Sequence, residues 1–320
     1  MILNKLCSAI IFPGQGSQYV GMGVALADKY EAAKEVFDEV DEALGQDLFK
    51  IIKEGPESEL RLTSNAQPAL MAVSLAVVRV IENISNQNIE NMVGFLAGHS
   101  LGEYSALTAA GSFSLADAAK LLRVRGESMQ NAVPVGTGGM AALLGAELDV
   151  AKEIAVLASE KGVCDIANDN APGQIVLSGE LKTVRQSIEI AKAKGIRRAV
   201  LLPVSAPFHC SLMKPAAEKM LEALNNIKIL PPKVPIVANV NATKIAGDPD
   251  DIRGSLVQQV TSMVRWRESV EWMIENGITS FVELGAGKVL TGLNKRIDKD
   301  VQSISVESPD AIEEVLKELR

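Results

Sequence analysis

The feature that most constrains this chain is a G-x-S-x-G pattern at residues 98–102. The run before it, residues 92–98, is rich in strand formers, and the run from Leu101 onward is compatible with a helix. In that strand–turn–helix setting Ser100 occupies a sharp turn that exposes its hydroxyl, and the backbone N–H of Leu101 is free to bind an oxyanion. The alternative is an ordinary turn that contains a serine. Because strand and helix both lie where the pattern requires them, we interpret Ser100 as a nucleophile in an α/β fold.

Composition narrows the class of protein. The 320 residues suffice for one large domain or two modest ones. The net charge of −8 and the lack of a long basic run argue against general nucleic-acid binding. The cysteines Cys7, Cys164 and Cys210 are too few and too scattered for a disulfide framework or a zinc site, so we expect a reducing compartment and no metal.

No segment of the sequence favours export or a membrane. Residues 1–11 are too short for a signal peptide and are interpreted as a first strand. The longest apolar stretch, residues 69–78, ends at Arg79 and is too short to span a bilayer. We therefore expect a cytoplasmic protein without a membrane contact.

Two glycine-rich loops resemble nucleotide-binding motifs, but each lacks residues that its motif requires. Residues 13–18 follow a predicted strand at 8–12, but Tyr19 stands where a dinucleotide fingerprint needs its third glycine. The loop can still offer hydrogen-bond donors through the backbone or the side-chain amide of Gln15. Residues 285–288 lack both the upstream glycine and the Ser or Thr that follows lysine in a Walker motif. A non-enzymatic nucleotide-binding module is therefore disfavoured.

A predicted helix after Ser114 carries two arginines. Apolar residues also recur at helical spacing in residues 25–44 and 66–83, which predicts two further helices. Ser114 with Asp117 three residues later resembles a capping box. Arg123 and Arg125 lie two residues apart and cannot share a helix face, so one can point to solvent and the other inward. An inward arginine near a serine nucleophile would bind a substrate carboxylate bidentately.

Residues 133–204 have an organisation of their own. A shift in composition at 133–139 marks a boundary. Beyond it the pattern predicts strands at 140–144, 163–168, 174–178 and 197–203, with helices at 150–161 and 181–194. That βαββαβ order is ferredoxin-like. We interpret the segment as a subdomain inserted into a larger α/β domain, which resumes with helices at 214–225, 252–260 and 266–276 and strands at 234–239 and 280–283.

The chain contains only two histidines, and a serine nucleophile needs a base. His99 lies inside the elbow, where its side chain should point away from Ser100. His209, in a proline-bounded loop, is therefore the only plausible base. Asp165 and Asp169 precede it in the usual hydrolase order, but both belong to the predicted insert. A backbone carbonyl can orient the histidine instead, which gives a Ser–His dyad.

Five motifs together point to one known family. They are residues 12–18 (Phe-Pro-Gly-Gln-Gly-Ser-Gln), 98–104 (Gly-His-Ser-Leu-Gly-Glu-Tyr), 123–129 (Arg-Val-Arg-Gly-Glu-Ser-Met), 206–209 (Ala-Pro-Phe-His) and 285–290 (Gly-Ala-Gly-Lys-Val-Leu). In order and spacing the chain resembles the malonyl-CoA:acyl carrier protein transacylases over essentially its whole length. The resemblance implies a hydrolase-like α/β core with a parallel sheet and nucleophile elbow, formed by residues 1–132 and 205–320. It also implies a ferredoxin-like inserted subdomain at 133–204.

The resemblance implies a malonyl-serine mechanism. Ser100 would be malonylated from malonyl-CoA, His209 would act as base and then acid, and Arg125 would hold the malonyl carboxylate. The backbone N–H groups of Gln15 and Leu101 would form the oxyanion hole. CoA would be released in this first step. The malonyl group would then pass to the phosphopantetheine thiol of holo acyl carrier protein, and neither step would use a cofactor. We expect a monomer that serves fatty acid biosynthesis.

Two further residues take roles from the resemblance, and two depart from it. Gln259 matches the glutamine whose backbone carbonyl orients the histidine, with the adjacent Gln258 left open. Phe208 matches the bulky side chain that excludes an α-methyl group. Met263 and Ala286 stand where proline is common in the family, which affects local rigidity rather than chemistry.

Two questions stay open at the level of sequence. The closest rival reading is a serine hydrolase with the same elbow, in which water replaces the thiol acceptor and Arg125 has no stated purpose. An acidic carrier would also need a basic docking face on this acidic chain. The candidates, equally explained as a solvated helix end, are Lys192, Lys194, Arg197 and Arg198.

Overall fold

Two β-sheets organise the chain. The computed structural model describes residues 3–4, 6–204 and 206–317. The strands in these residues are β1 Ser8–Phe12, β2 Phe95–Gly98, β3 Gly138–Leu144, β4 Cys164–Ala171, β5 Gln174–Glu180, β6 Arg198–Leu201, β7 Ile236–Val237, β8 Ser280–Leu284 and β9 Gln302–Val306.

Helices surround both sheets. Those of the described residues are α1 Val24–Lys29, α2 Glu31–Leu44, α3 Leu48–Glu54, α4 Glu57–Leu60, α5 Thr63–Ser85, α6 Gly102–Ala109, α7 Leu115–Asn131, α8 Leu148–Ser159, α9 Leu181–Ala193, α10 Lys214–Asn225, α11 Pro249–Thr261, α12 Trp266–Glu275, α13 Val289–Ile297 and α14 Pro309–Lys317. Short 3₁₀ turns lie at Ile89–Asn91 and Ser211–Met213.

The larger sheet of the described residues is parallel, with strand order β7-β2-β1-β8-β9. Its central strand β1 is buried throughout: Ile10 and Phe12 join one apolar layer, and Ala9 and Ile11 join the other. Helix α5 packs in the first layer and α12 in the second. Helices on both faces explain why these strands read as continuous apolar runs. The mixed α/β fold with a parallel sheet is confirmed.

Parallel pairing of β1 and β2 brings the functional loops together. Phe12 is in register with Gly98, so the loop after β1 and the turn after β2 leave the sheet side by side. The packing there leaves no room for side chains. A Cβ on Gly98 would lie 1.9 Å from the carbonyl carbon of Gly102, and one on Gly102 would lie 2.3 Å from the Phe12 carbonyl oxygen. The two glycines of the motif are therefore required by close backbone contact.

The smaller sheet of the described residues is antiparallel, with order β4-β5-β3-β6. It is built by a βαββαβ segment and has its own apolar core, which includes Leu143, Ile154 and Ile175. Strand β4 ties it to the parallel-sheet region. The buried Asp169 accepts from Nε and Nη2 of Arg267 on α12, with the shortest distance 2.8 Å.

Most predicted elements are confirmed, with differences at two places. The predicted helix at 25–44 breaks at Tyr30, whose extended backbone (φ −127°, ψ 118°) separates α1 from α2. The predicted strand at 234–239 shortens to β7, because the chain turns after Val237 and forms a bridge back to Lys244. Strand β9 and helices α3, α4, α13 and α14 were not predicted. The first strand begins at Ser8, and Met1, Ile2 and Lys5 lie outside the described residues.

Helix α5 explains the long apolar stretch in the sequence. Among the described helices it alone has the length and composition to cross a membrane, but 72% of its apolar window is buried inside the protein. Packing of this helix against α2 and α7 accounts for its composition as that of a core helix.

Candidate active site

Ser100 lies at the turn between β2 and α6 with a left-handed backbone, φ 55°. Its Oγ is 2.7 Å from Nε2 of His209, which follows β6 and is 4% exposed. The other ring nitrogen, Nδ1, is 2.9 Å from the backbone carbonyl oxygen of Gln259. Because a carbonyl can only accept, Nδ1 carries the proton and Nε2 is left to accept from the serine hydroxyl. Of the two glutamines left open by the sequence, Gln259 is the one that makes this contact.

The surroundings of His209 keep its imidazole neutral. Burial lowers its pKa to about 3, and the positive charge of Arg125 adds to that effect. Desolvation disfavours the charged form of a histidine, and a nearby cation disfavours it further. At neutral pH the ring is therefore a proton acceptor.

Arg125 is a buried cation beside the nucleophile. It is 1% exposed, and Gly126 next to it lets α7 approach α5 closely, since a Cβ there would lie 2.5 Å from the Thr63 carbonyl oxygen. Nη1 donates to Oε1 of Gln67 at 2.9 Å, and Nη2 donates to Oε1 of Gln259 at 2.8 Å and to Oγ of Ser100 at 3.1 Å. All of these acceptors are neutral.

The charge of Arg125 is left without a paired anion. Within the described residues no carboxylate oxygen lies within 4.0 Å of its guanidinium. Its Nε is buried and makes no hydrogen bond there. An isolated buried cation is costly unless it is paired, so the arrangement favours recognition of an anion at the nucleophile. Arg123, two residues earlier, turns the other way and donates to Asn65 and Gln46.

Two backbone N–H groups in the lining of the cleft make no hydrogen bond within the described part of the chain. The N–H groups of Gln15 and Leu101 donate no hydrogen bond to any described residue. The side-chain amide of Gln15 is engaged elsewhere, with Nε2 3.3 Å from Oγ1 of Thr63, so its backbone N–H is the remaining donor. The loop presses against the elbow, since a Cβ on Gly14 would lie 2.8 Å from the His99 carbonyl oxygen. Free backbone N–H groups beside a nucleophile can stabilise negative charge on an acyl oxygen.

A cleft between the two sheets is lined by Gln15, Ser100, Leu101, Arg125 and His209. Its cavity volume is about 630 Å³. Phe208 lines it beside His209 and is 9% exposed. Apolar side chains from both sheet regions form part of the remaining wall: Met129, Met140, Val176, Leu202, Val204 and Leu290. Polar side chains, Asn168, Asn170 and Gln174 among them, line much of the rest.

The two acidic residues that precede His209 in the usual hydrolase order make structural contacts instead. Asp165 accepts from the backbone and hydroxyl of Ser211, and Asp169 pairs with Arg267. His99 places Nε2 2.8 Å from Oδ1 of Asn170. Among the described residues no group of three or more His, Cys, Asp or Glu side chains is arranged to hold a metal ion.

Sequence reasoning missed three residues beneath the site: Gln67, Glu103 and Asn239. Each is buried, with Gln67 at 2% exposure and the other two at 0%. A signal was present for two of them, because Gln67 and Glu103 interrupt otherwise apolar helices. Asn239 carries no such signal, since it lies in an irregular segment after β7.

Comparison with known proteins identifies the family of the chain. The family model described as "Acyl transferase domain" matches residues 9–308. The malonyl CoA-acyl carrier protein transacylase of Bacillus subtilis is 46% identical over 98% of this chain and 97% of its own length. The solved acyl-carrier-protein-S-malonyltransferase of Bartonella henselae has a TM-score of 0.95 at 54% identity, covering 98% of this chain and 99% of that one. A malonyl-transacylase solved with a type II PKS acyl-carrier protein has a TM-score of 0.94 at 39% identity, covering 98% and 99%. With matches that span nearly the whole chain, this protein belongs to the acyl transferase domain family, within the malonyl CoA-acyl carrier protein transacylases.

Proposed function

We propose that this acyltransferase moves a malonyl group from malonyl-CoA to the phosphopantetheine thiol of acyl carrier protein through an ester on Ser100. One observation carries the proposal. Oγ of Ser100 lies within hydrogen-bond distance of both Nε2 of His209, at 2.7 Å, and Nη2 of Arg125, at 3.1 Å. A base and a carboxylate-binding cation thus meet at one nucleophilic oxygen. The names of the relatives support the same substrates.

In the first half-reaction the proton of the Ser100 hydroxyl passes to Nε2 of His209 as Oγ bonds to the thioester carbon of malonyl-CoA. The carbonyl oxygen becomes negative and is stabilised by the N–H groups of Gln15 and Leu101. Loss of one such donor costs about 3–4 kcal/mol of transition-state stabilisation. The intermediate then collapses: the carbon–sulfur bond breaks, and the CoA sulfur leaves with the proton held by His209. The Gln259 carbonyl keeps the ring oriented in both states.

The second half-reaction runs the same steps in reverse with a new thiol. The carrier thiol gives its proton to His209 and attacks the Ser100 ester, and the serine oxygen leaves with that proton. Donor and acceptor carry the same phosphopantetheine arm, so one cleft can serve both steps. The relative solved with a type II PKS acyl-carrier protein supports a carrier protein as the partner. Each step is acyl transfer between oxygen and sulfur, for which the serine and histidine suffice without a cofactor.

Arg125 selects the acyl group in this proposal. In the serine ester the free carboxylate of malonyl lies two carbon–carbon bonds from the carbon attached to Oγ. The guanidinium already contacts that oxygen at 3.1 Å, so it is within reach of the carboxylate. Binding would replace neutral acceptors with a charged, bidentate one, which is the stronger interaction. Phe208 would limit the space beside the α-carbon and so exclude a branched acyl group.

We further infer a hydrolase-like core, residues 1–132 and 205–320, with a ferredoxin-like subdomain inserted at 133–204. The parallel five-stranded sheet and elbow among the described residues support the first part. The order β4-β5-β3-β6 of a βαββαβ segment supports the second, since a split βαβ pair gives that arrangement. The boundary residues 1, 205 and 320 lie outside the described residues.

A basic surface of the insert is the proposed docking face for an acidic carrier. Two of the four candidates are already paired, Lys192 with Glu189 and Lys194 with Glu153, both at 2.8 Å. Arg197 and Arg198 are exposed, and within the described residues neither forms an ion pair. Strand β6 runs from Arg198 toward Leu202 in the wall of the cleft, which supports these arginines as the contact surface.

Intact-mass measurement after mixing with malonyl-CoA tests the proposal. We expect one malonyl adduct that maps to Ser100 and disappears when holo carrier is added. Ser100→Ala should abolish it, and Ser105→Ala, which removes a buried hydroxyl on α6 that lacks a described partner, should retain it. Rapid release of free malonate without carrier would instead support a serine hydrolase. An adduct at any other residue would refute the mechanism.

A further inference from the structure

A buried carboxyl group lies beneath the nucleophile and takes no part in the proposed chemistry. Glu103, in the first turn of α6, is 0% exposed. Its Oε2 accepts from the backbone N–H of Asn239 and from Nε2 of Gln259, both at 2.9 Å. Its Oε1 is buried and has no hydrogen-bond partner among the described residues. Burying a carboxyl group costs desolvation free energy, so its presence beneath the nucleophile calls for an explanation.

The first of its partners holds the elbow. Oδ1 of Asn239 accepts from the backbone N–H of Ser100 at 2.7 Å, and Nδ2 donates to the Gly98 carbonyl oxygen at 2.7 Å. Asn239 therefore bridges the strand end and the strained turn. Since Ser100 has φ 55°, its backbone persists in that conformation only when the surroundings hold it there. The Asn239 amide holds the turn only in the orientation that places its oxygen toward the Ser100 N–H.

The second partner links the elbow to the cation. Nε2 of Gln259 also donates to the Ser100 carbonyl oxygen at 3.0 Å, and Oε1 accepts from Arg125 at 2.8 Å. A side-chain amide has one accepting end and one donating end, and the two look alike in shape. Oε2 of Glu103 at 2.9 Å, the Ser100 carbonyl oxygen and, at 3.3 Å, Oδ1 of Asn239 are the acceptors around Nε2, and together they select the orientation in which the Gln259 oxygen faces Arg125. In the opposite orientation two donors would face each other.

We propose that Glu103 is a positioning residue: it is the only charged acceptor of the Gln259 amide among the described residues, it also holds the backbone N–H of Asn239, and these two residues hold Ser100 and Arg125 in place. Gln259 also stands between the carboxyl group and the guanidinium, so Glu103 stabilises the cation from a distance without occupying its binding fork. A substrate carboxylate therefore competes only with neutral acceptors for the guanidinium. The inference rests on the proposed function only where it concerns malonyl.

The hydrogen-bond pattern makes a sharp distinction between two substitutions. In Glu103→Gln an amide oxygen can take the place of Oε2, and the new NH₂ group can take the place of Oε1, so both bonds survive. Glu103→Met has similar length but removes the acceptor. Burial raises the pKa of Glu103 to about 7, so a neutral side chain at this position is close to a form that the protein already populates. Only the methionine variant should disturb the elbow.

The experiment compares two reactions of Ser100 by intact mass. One is single-turnover loading from malonyl-CoA, and the other is phosphonylation by a neutral fluorophosphonate, which needs the nucleophile and base but no carboxylate recognition. We expect Glu103→Met to slow both by about 100-fold, as small displacements of catalytic groups do. Glu103→Gln should stay within about fivefold of the unmodified chain. Asn239→Leu should behave as Glu103→Met.

Asn294→Leu is the matched control. Asn294 is also a fully buried asparagine, but it contacts Trp266 rather than the elbow. We expect it to lower the melting temperature while the rates measured well below melting stay unchanged, which is the signature of a merely structural residue. Wild-type rates in folded Glu103→Met would overturn the inference, and so would equal losses in Glu103→Met and Glu103→Gln. An unmodified chain that accepts the phosphonate but no malonyl would refute the proposed function and leave the phosphonate comparison intact.

Discussion

Replacement of Arg125 by alanine should convert a malonyl-selective enzyme into one that no longer prefers malonyl. Arg125 is 1% exposed, so a carboxylate bound to it would be shielded from water and salt. A hydrogen bond to a charged group contributes about 1.5–3 kcal/mol. Two such bonds in a bidentate pair amount to about 3–6 kcal/mol, which corresponds to a loss of about 10²–10⁴-fold in kcat/KM for malonyl-CoA.

Acetyl-CoA should escape that loss because its acyl group has no carboxylate. The base should not suffer either. The positive charge of Arg125 is one of the causes that lower the pKa of His209, so its removal makes the imidazole more basic. The malonyl-to-acetyl ratio of kcat/KM, measured by competition between the two thioesters, should therefore fall by about the same 10²–10⁴-fold.

Arg123→Ala separates this effect from damage to the helix. Arg123 lies on α7 two residues earlier and donates to Asn65 and Gln46, outside the cleft. Its loss should lower the melting temperature and leave the malonyl-to-acetyl ratio unchanged. If Arg125→Ala keeps the ratio of the unmodified chain, carboxylate recognition lies elsewhere and the reasoning is refuted.

Three other predictions concern the base, the acyl pocket and the carrier. Because the pKa of His209 is lowered to about 3, protonation of this group should not reduce the rate of Ser100 loading between pH 7 and pH 5, whereas a histidine of ordinary pKa would reduce that rate about 30-fold. Stopped-flow loading measures this in Glu103→Gln, a variant that lacks the nearby titrating carboxyl group. A fall in rate with a midpoint near pH 6.5 would contradict the prediction. Phe208→Ala should raise kcat/KM for methylmalonyl-CoA relative to malonyl-CoA by about 10–100-fold, and an unchanged ratio would mean that the α-methyl group is excluded elsewhere. Arg198→Glu should raise the KM for carrier by about fivefold with unchanged loading from malonyl-CoA. The same charge reversal at the exposed Lys228 should leave the KM for carrier and the loading rate unchanged. Equal effects at the two positions would mean that carrier binding depends on the net charge of the protein and not on a local contact at Arg198.

The sequence by itself was sufficient to predict most of the elements and a candidate nucleophile. The G-x-S-x-G turn is local: a buried strand, two glycines and a helix start lie within a few residues, and short-range sterics determine how the chain passes through them. The prediction of the base rested on the small number of histidines. The chain has two, and since His99 adjoins Ser100 and should point away from it, His209 remained as the candidate. Strand β9 could not be found in this way, since Gln302–Val306 is short, half polar and paired only along one edge with β8.

The tertiary structure decided which polar groups meet at the serine. Arg125 contacts Gln67, 58 residues earlier, and Gln259, 134 residues later, and Glu103 lies 156 residues from Gln259. Neighbours in the chain carry no information on such contacts, because they depend on how helices pack over the sheet. Periodicity showed that Arg123 and Arg125 face different ways, but only packing of α7 against α5 determines which of them is buried. The sequence therefore predicted a role for Ser100, and the packing around it determined which groups surround its hydroxyl.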